Sequence, residues 1–160
     1  MKFPITQAVR FLRKNHVDFE PYLYDYIEKG GTKHSSEVLG VDEHSIIKTI
    51  VLETNERKPL IVLMHGNLVV STKQLAREIN VKSIVPTTST RAQQITGYLV
   101  GGTSPFGTRT KVPIYVEQTV FRLRRVYING GKRGFLVAIN PAIIRQTFQI
   151  KEVNIGIEKE

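Results

Sequence analysis

Three apolar runs constrain this chain most: Ile46-Ile47-Lys48-Thr49-Ile50-Val51-Leu52, Leu60-Ile61-Val62-Leu63-Met64 and Phe135-Leu136-Val137-Ala138-Ile139. Each is strand-sized and far below the ~20 residues that a bilayer demands. The first is rich in β-branched residues and predicts a strand, and Leu60–Met64 pairs with it across the polar turn Thr54-Asn55-Glu56-Arg57-Lys58. Capped helical patterns lie between the runs, so the chain reads as one mixed α/β unit.

Thr6 caps a first helix carrying Ala8, Val9 and Leu12, which Asn15 and His16 close. Phe19–Tyr26 reads as a strand with Tyr22, Tyr24 and Tyr26 on one face by period-two alternation. After the Gly30-Gly31 break, Ser35 or Ser36 starts a short helix that stops at Gly40, and Asp42 opens another turn. Ser71 or Thr72 caps a helix bearing Leu75, Ala76 and Ile79. Ser83–Thr87 is a short strand, and Thr88–Thr96 a helix ended by Gly97. Tyr98–Val100 reads as a strand running into a glycine-rich loop, and Val112–Val116 and Phe121–Ile128 as further strands. Asn140-Pro141 is a strong helix start after the last apolar run. No repeat, linker or low-complexity block interrupts residues 1–160, which predicts one domain.

Composition narrows the chemistry. Cysteine is absent, which excludes a disulfide, a thiolate metal site and a cysteine nucleophile. His16, His34, His44 and His65 are scattered without metal-ligand spacing. No metal and no cofactor is expected. There is no Gly-x-Ser-x-Gly elbow and no phosphate loop. The beginning of the chain shows no apolar signal core, and a cytoplasmic protein without membrane contact is expected. The net charge is +9, and it is lopsided: residues 81–160 hold 12 basic and 4 acidic side chains, against 11 and 10 in residues 1–80. Between Lys82 and Arg133 the only acid is Glu117. A one-sided basic field attracts a polyanion such as nucleic acid. A solvated surface kept for solubility is the plainer alternative.

Three features carry candidate chemistry. Lys48 sits inside an apolar strand, where an ammonium must snorkel to water or face a cavity that uses its charge; an edge-strand lysine that blocks aggregation is the competing reading. Gly101-Gly102-Thr103-Ser104-Pro105-Phe106-Gly107 lets a ligand approach the backbone, whose N–H groups suit an oxyanion; alone, it is more simply a loop between strands. Asn129-Gly130-Gly131-Lys132-Arg133-Gly134 suits a phosphate contact, or is a tight turn with solvated charges.

In this order, the three motifs are far more specific than any one. Lys48-Thr49, then Thr96-Gly97-Tyr98-Leu99-Val100-Gly101-Gly102-Thr103-Ser104-Pro105-Phe106-Gly107, then Gly130-Gly131-Lys132-Arg133-Gly134 resemble the YbaK family, freestanding relatives of the editing domain of bacterial prolyl-tRNA synthetase. The resemblance covers nearly the whole chain. It implies a single α/β domain with a curved, barrel-like, mainly antiparallel mixed sheet flanked by helices. It implies a trans-editing deacylase, metal-independent, that hydrolyses the ester of mischarged tRNA, cysteinyl-tRNA(Pro) or another small amino acid, with prolyl-tRNA synthetase as a possible partner. Such a second site is needed because a synthetase cannot reject small isosteric amino acids by binding alone.

By resemblance, Lys48, Gly101 and Gly102 are the catalytic candidates, Lys48 positioning the ester and stabilising negative charge. Tyr24, Thr103, Ser104, Pro105, Asn129, Gly130 and Gly131 are candidates to bind substrate. Arg109, Lys111, Arg122, Arg124, Lys132 and Arg133 are candidates to bind the tRNA. No side-chain nucleophile is evident, and the family is thought to use the substrate's own thiol or the ribose hydroxyl. One departure stands out: after Phe135 the family commonly has an acid, and this chain has Leu136. That departure keeps open a non-catalytic tRNA- or nucleotide-binding module, and a protein-interaction role beside a synthetase is a third possibility.

Overall fold

The apolar runs form the middle of a sheet. A computed structural model of the chain describes residues 2–159. Its helices are α1 (Gln7–Lys14), α2 (Gly31–Leu39), α3 (Thr72–Glu78), α4 (Ser89–Thr96) and α5 (Ala142–Thr147). Its strands are β1 (Glu20–Leu23), β2 (Ile46–Thr54), β3 (Pro59–His65), β4 (Leu68–Val70), β5 (Ile84–Pro86), β6 (Ile114–Glu117), β7 (Val126–Lys132), β8 (Phe135–Ile139), β9 (Ile150–Val153) and β10 (Gly156–Glu158). Eight strands make one sheet in the order β1-β8-β7-β2-β3-β6-β9, with β5 also on β2, while β4 and β10 form a separate two-stranded sheet. Antiparallel pairs predominate in the large sheet; β2/β7, β3/β6 and β6/β9 are parallel.

Both faces of β3 and β8 are buried. Ile47, Val51, Ile61, Leu63, Ile128 and Val137 lie in one core, with α1, α4 and α5 contributing Leu12, Ile95 and Ile144. Leu52, Leu60, Val62 and Met64 lie in a second core, against Leu75 and Ala76 of α3 and Ile155. The sheet is thus covered on both sides, which explains why β3 and β8 read as unbroken apolar runs. Among the described residues no helix is long and apolar enough to cross a membrane.

The local signals hold where they are decisive. Thr6, Ser71 and Thr88 accept from Val9, Gln74 and Arg91 N–H groups as helix caps, and Gly40 and Gly97 close their helices at positive φ. Asn140 accepts from Ala142 N–H ahead of α5. Four readings need correction. First, α2 begins at Gly31, so Ser35 and Ser36 are buried helix residues rather than its start. Second, β1 stops at Leu23, leaving Tyr24 and Tyr26 beyond it. Third, residues 98–100 form no strand. Fourth, Gln118–Arg122 is a 3₁₀ turn, with β7 starting only at Val126 and running through Lys132, where a register shift absorbs the glycine pair.

Candidate functional site

Lys48 lies on a central strand. β3 pairs along one edge of β2, and on the other β7 pairs with Ile46 and Ile47 and β5 with Leu52–Thr54, so β2 is an interior strand and not the edge strand of the competing reading. Alternation puts it on the face of Ile46, Ile50 and Leu52, directly across from Met64. There the ammonium donates to the Leu68 carbonyl of β4. Burial pulls its pKa below the ordinary lysine value; the Lys159 cation lowers it further and Glu43 opposes both. An amine that loses hydration without a paired carboxylate keeps unspent charge, which suits it to negative charge that develops on a ligand.

Asn129 links this strand to the glycine loop. β7 runs parallel to β2 with Ile46 beside Tyr127 and Ile47 beside Ile128. The β2/β7 ladder ends there, and by alternation the next residue on each strand, Lys48 and Asn129, falls on the face of Ile46 and Tyr127. Asn129 Nδ2 donates to the Gly101 carbonyl at 3.1 Å, and its Oδ1 accepts from Gly131 and Lys132 N–H at 2.7 and 3.2 Å. One side chain thereby ties the glycine loop to the end of β7. Among the described residues no hydrogen bond joins Lys48 to Gly101 or Gly102; the amine turns toward β4.

The two loop glycines do different things. Gly102 N–H donates to the Leu99 carbonyl at 2.8 Å, closing a turn whose third residue, Gly101, has φ +89°, as a type II turn requires. Gly102 N–H is therefore spent, and Gly101 N–H is the one left without a partner among the described residues. A Cβ on Gly102 would stand 2.8 Å from Arg133 N and 3.0 Å from Lys132 C, so only glycine lets the loop lie on that backbone. Gly101 is exposed, and a Cβ there would meet the Tyr26 hydroxyl at 2.5 Å. Arg133 sits 5.3 Å over the Tyr26 ring and donates from Nε to the Val100 carbonyl. Leu99 and Val100, just before Gly101 in the chain, are exposed, as is Ile27, next to Tyr26.

The other candidates divide. Tyr24 is half-buried, edge-on to His34 at 5.9 Å, and burial raises its phenol pKa, so it stays a neutral donor. Thr103 is partly exposed and donates to Leu99 O. Ser104 and Pro105 are buried, and the Ser104 hydroxyl accepts from Phe106 N–H, which leaves neither a face toward a ligand; they shape the loop. Gly130 is buried under Phe135, and Gly131, at φ +98°, packs on Tyr98. Leu136 is buried opposite Asn129 and Tyr22, which makes its position on that face apolar.

All six basic candidates are exposed, but they do not form one cluster. Lys132 and Arg133 stand beside Gly102; Arg122 and Arg124 precede β7, whose seven residues put about 20 Å between its ends. Arg109 packs near Gly97, and Lys111 follows on the same connection. Two clefts of about 310 and 300 Å³ are present: one between Leu23–Asp25 and Lys132–Phe135, the other beside Arg124 and Arg125. Neither is lined by Lys48 or Gly101. Among the described residues no three His, Asp or Glu side chains are grouped to hold a metal ion.

Sequence reasoning missed Arg125, Tyr26, Lys159 and the Leu68 carbonyl. Arg125 forks onto Glu20 at 3.2 and 2.9 Å and lies 5.5 Å from both the Tyr22 and Tyr127 rings. Its hydrogen bonds hold the Glu20 carboxyl below the usual range. The Tyr22-x-Tyr24-x-Tyr26 alternation was a usable signal for Tyr26; a backbone carbonyl leaves none.

The chain is similar to several known proteins. A proposed Cys-tRNA(Pro)/Cys-tRNA(Cys) deacylase of Enterococcus faecalis, EbsC, is 27% identical over 140 residues, covering 87% of this chain and 85% of that protein. The proline–tRNA ligase of Thermodesulfovibrio yellowstonii is 33% identical over 84 residues, 52% of this chain but 14% of the ligase. The crystal structure of a proposed trans-editing enzyme for prolyl-tRNA synthetase superposes with a TM-score of 0.82 at 17% identity, over 98% of this chain and 99% of the other. A second crystal structure, of a hypothetical protein, gives 0.86 at 16% identity over 94% and 99%. The family model of the aminoacyl-tRNA editing domain matches residues 31–146, from the start of α2 into α5. This chain belongs to the aminoacyl-tRNA editing domain family.

Proposed function

We propose that residues 1–160 form one editing domain that hydrolyses the ester of mischarged tRNA in trans, with cysteinyl-tRNA(Pro) as the first substrate to try. The observation that carries this reading is Lys48: a desolvated ammonium on an interior strand, one residue past the end of its ladder with β7, whose Asn129 clamps the Gly101 turn. The carbonyl oxygen of the ester gains negative charge as an oxygen nucleophile adds to the carbon. The Lys48 ammonium and the unpaired Gly101 N–H are the donors available to that charge. The bond from the carbonyl carbon to the ribose oxygen then breaks, and the ribose oxygen takes a proton. Water, which the neighbouring ribose hydroxyl can orient, supplies the attack and releases the free amino acid, or the amino acid's own side chain attacks and releases a cyclic product that water then opens; no side-chain base is required of the protein.

The basic half of the chain draws in the tRNA, and Lys132 and Arg133 stand nearest the loop to hold a phosphate of its single-stranded end. EbsC and the proline–tRNA ligases make cysteine on tRNA(Pro) the substrate to test first, and make prolyl-tRNA synthetase a candidate partner in the cytoplasm. Purified protein supplied with cysteinyl-, alanyl- and seryl-tRNA is expected to release one amino acid well above its spontaneous rate. Release of none defeats the proposal. Leu136 favours a second reading, a binding module without catalysis; it requires salt-sensitive tRNA binding indifferent to the attached amino acid.

A further inference from the structure

The strand that holds the Lys48 acceptor is short and lies outside the large sheet. β4 has three residues, too few to persist alone, and its ladder partner is β10. Ser71 N–H donates to the Ile155 carbonyl at 2.8 Å. Antiparallel pairs alternate between bonded and non-bonded, so Val69 and Ile157 form the next bonded pair and Leu68 faces Glu158 without bonds. The Leu68 carbonyl is thus turned away from β10, to the side where Lys48 donates to it.

β10 is itself anchored at both ends. The buried Glu117 carboxylate, at the end of β6, accepts from Ile155 and Gly156 N–H at 2.7 and 3.0 Å. Beyond β10, Lys159 approaches Glu43 at 3.9 Å, and the same Glu43 oxygen accepts from Thr32 of α2 at 2.7 Å. The side chain of Ile157 is 49% exposed, so β10 acts mainly through its backbone.

We propose that β10 and Lys159 form a positioning element for Lys48: β10 holds β4 in register so that the Leu68 carbonyl aims the ammonium, and Lys159, beside Glu43, adds a second cation to the same corner. This rests on the reading that Lys48 acts on the ester. The test is Ile157→Pro in the full chain, which removes the N–H of the bonded pair. Ile157→Val serves as the conservative control. Two readouts are taken: deacylation kinetics, and labelling of the Lys48 amine by acetic anhydride against pH, read by mass spectrometry.

Ile157→Pro is expected to lower kcat between about tenfold and about a hundredfold with KM little changed, as for misplacement of a reacting group. The midpoint of Lys48 labelling moves up toward that of an exposed lysine, and Ile157→Val behaves as the unaltered chain. Lys159→Ala, whose side chain is 51% exposed, also moves the midpoint up, and it carries the decision should the proline variant fold poorly. Folded variants that keep the original labelling midpoint and kcat overturn the proposal. An unaltered protein without deacylase activity defeats the proposed function alone, because labelling still decides whether β10 positions the amine.

Discussion

Replacing Lys48 by methionine separates what the ammonium does for the fold from what it does for the reaction. The side chains are similar in length, and methionine fits an apolar face that already holds Ile50, Leu52 and Met64. Two terms oppose each other in stability. The charged hydrogen bond to the Leu68 carbonyl is lost, worth about 1.5–3 kcal/mol. The desolvation of the ammonium is relieved, and the lowered pKa says that this cost exceeds what the surroundings return to the charged form. Lys48→Met is therefore expected to change unfolding free energy by less than about 1 kcal/mol or to stabilise the chain, close to the typical size of a point-mutant effect. Activity behaves otherwise. Loss of one donor to a developing oxyanion costs about 3 kcal/mol, roughly a hundredfold to a thousandfold in rate. Urea melts and single-turnover deacylation on the same preparation measure both. Activity within a few-fold of the unaltered chain refutes the role of the ammonium. A large loss of stability refutes the balance just drawn.

Gly102→Ala brings a Cβ to 2.8 Å from Arg133 N, a backbone atom that cannot swing aside. It should cost about 1–3 kcal/mol by overpacking and lower deacylation as the Gly101 turn shifts; unchanged melting and rate would show that the loop has slack. His65 is fully buried, stacked on His44 at 3.6 Å, with Nδ1 on the His44 carbonyl and Nε2 on Thr119, so the neutral ring fits the site and burial lowers its pKa. The unfolded chain takes up this proton at about pH 6.5 and the folded chain only lower. Stability contributed by the neutral ring is therefore lost as pH falls through and below about 6.5. Stability measured against pH should slope less steeply there in His65→Gln, and an identical slope would exclude His65 as its source.

Much of the architecture was readable because its causes are local. A cap and its N–H lie three residues apart, and a glycine at a helix end answers to its own φ; Thr6, Ser71, Thr88, Gly40 and Gly97 were legible for that reason. The apolar runs 46–52, 60–64 and 135–139 announced strands through side-chain type alone. The reading of 121–134 failed for a non-local reason. Val126 to Lys132 is one strand because β8 pairs with it through a register shift, which no local pattern at Gly130-Gly131 reveals.

For the candidate site, the chain determined by itself that a lysine interrupts an apolar strand, that paired glycines follow a helix, and that an asparagine precedes a second glycine pair. Pairing of distant segments decided the rest. The lysine stands on an interior strand because β7 and β5 pair with the two ends of β2 on the side away from β3. Its acceptor is a carbonyl twenty residues on, held by a strand near position 157. Asn129 reaches Gly101 across 28 positions. Side-chain chemistry is written in the residue, whereas the direction of a backbone carbonyl and the partner of an amide depend on which strand lies alongside. That choice is made by burial summed over the whole sheet, not by any few neighbours.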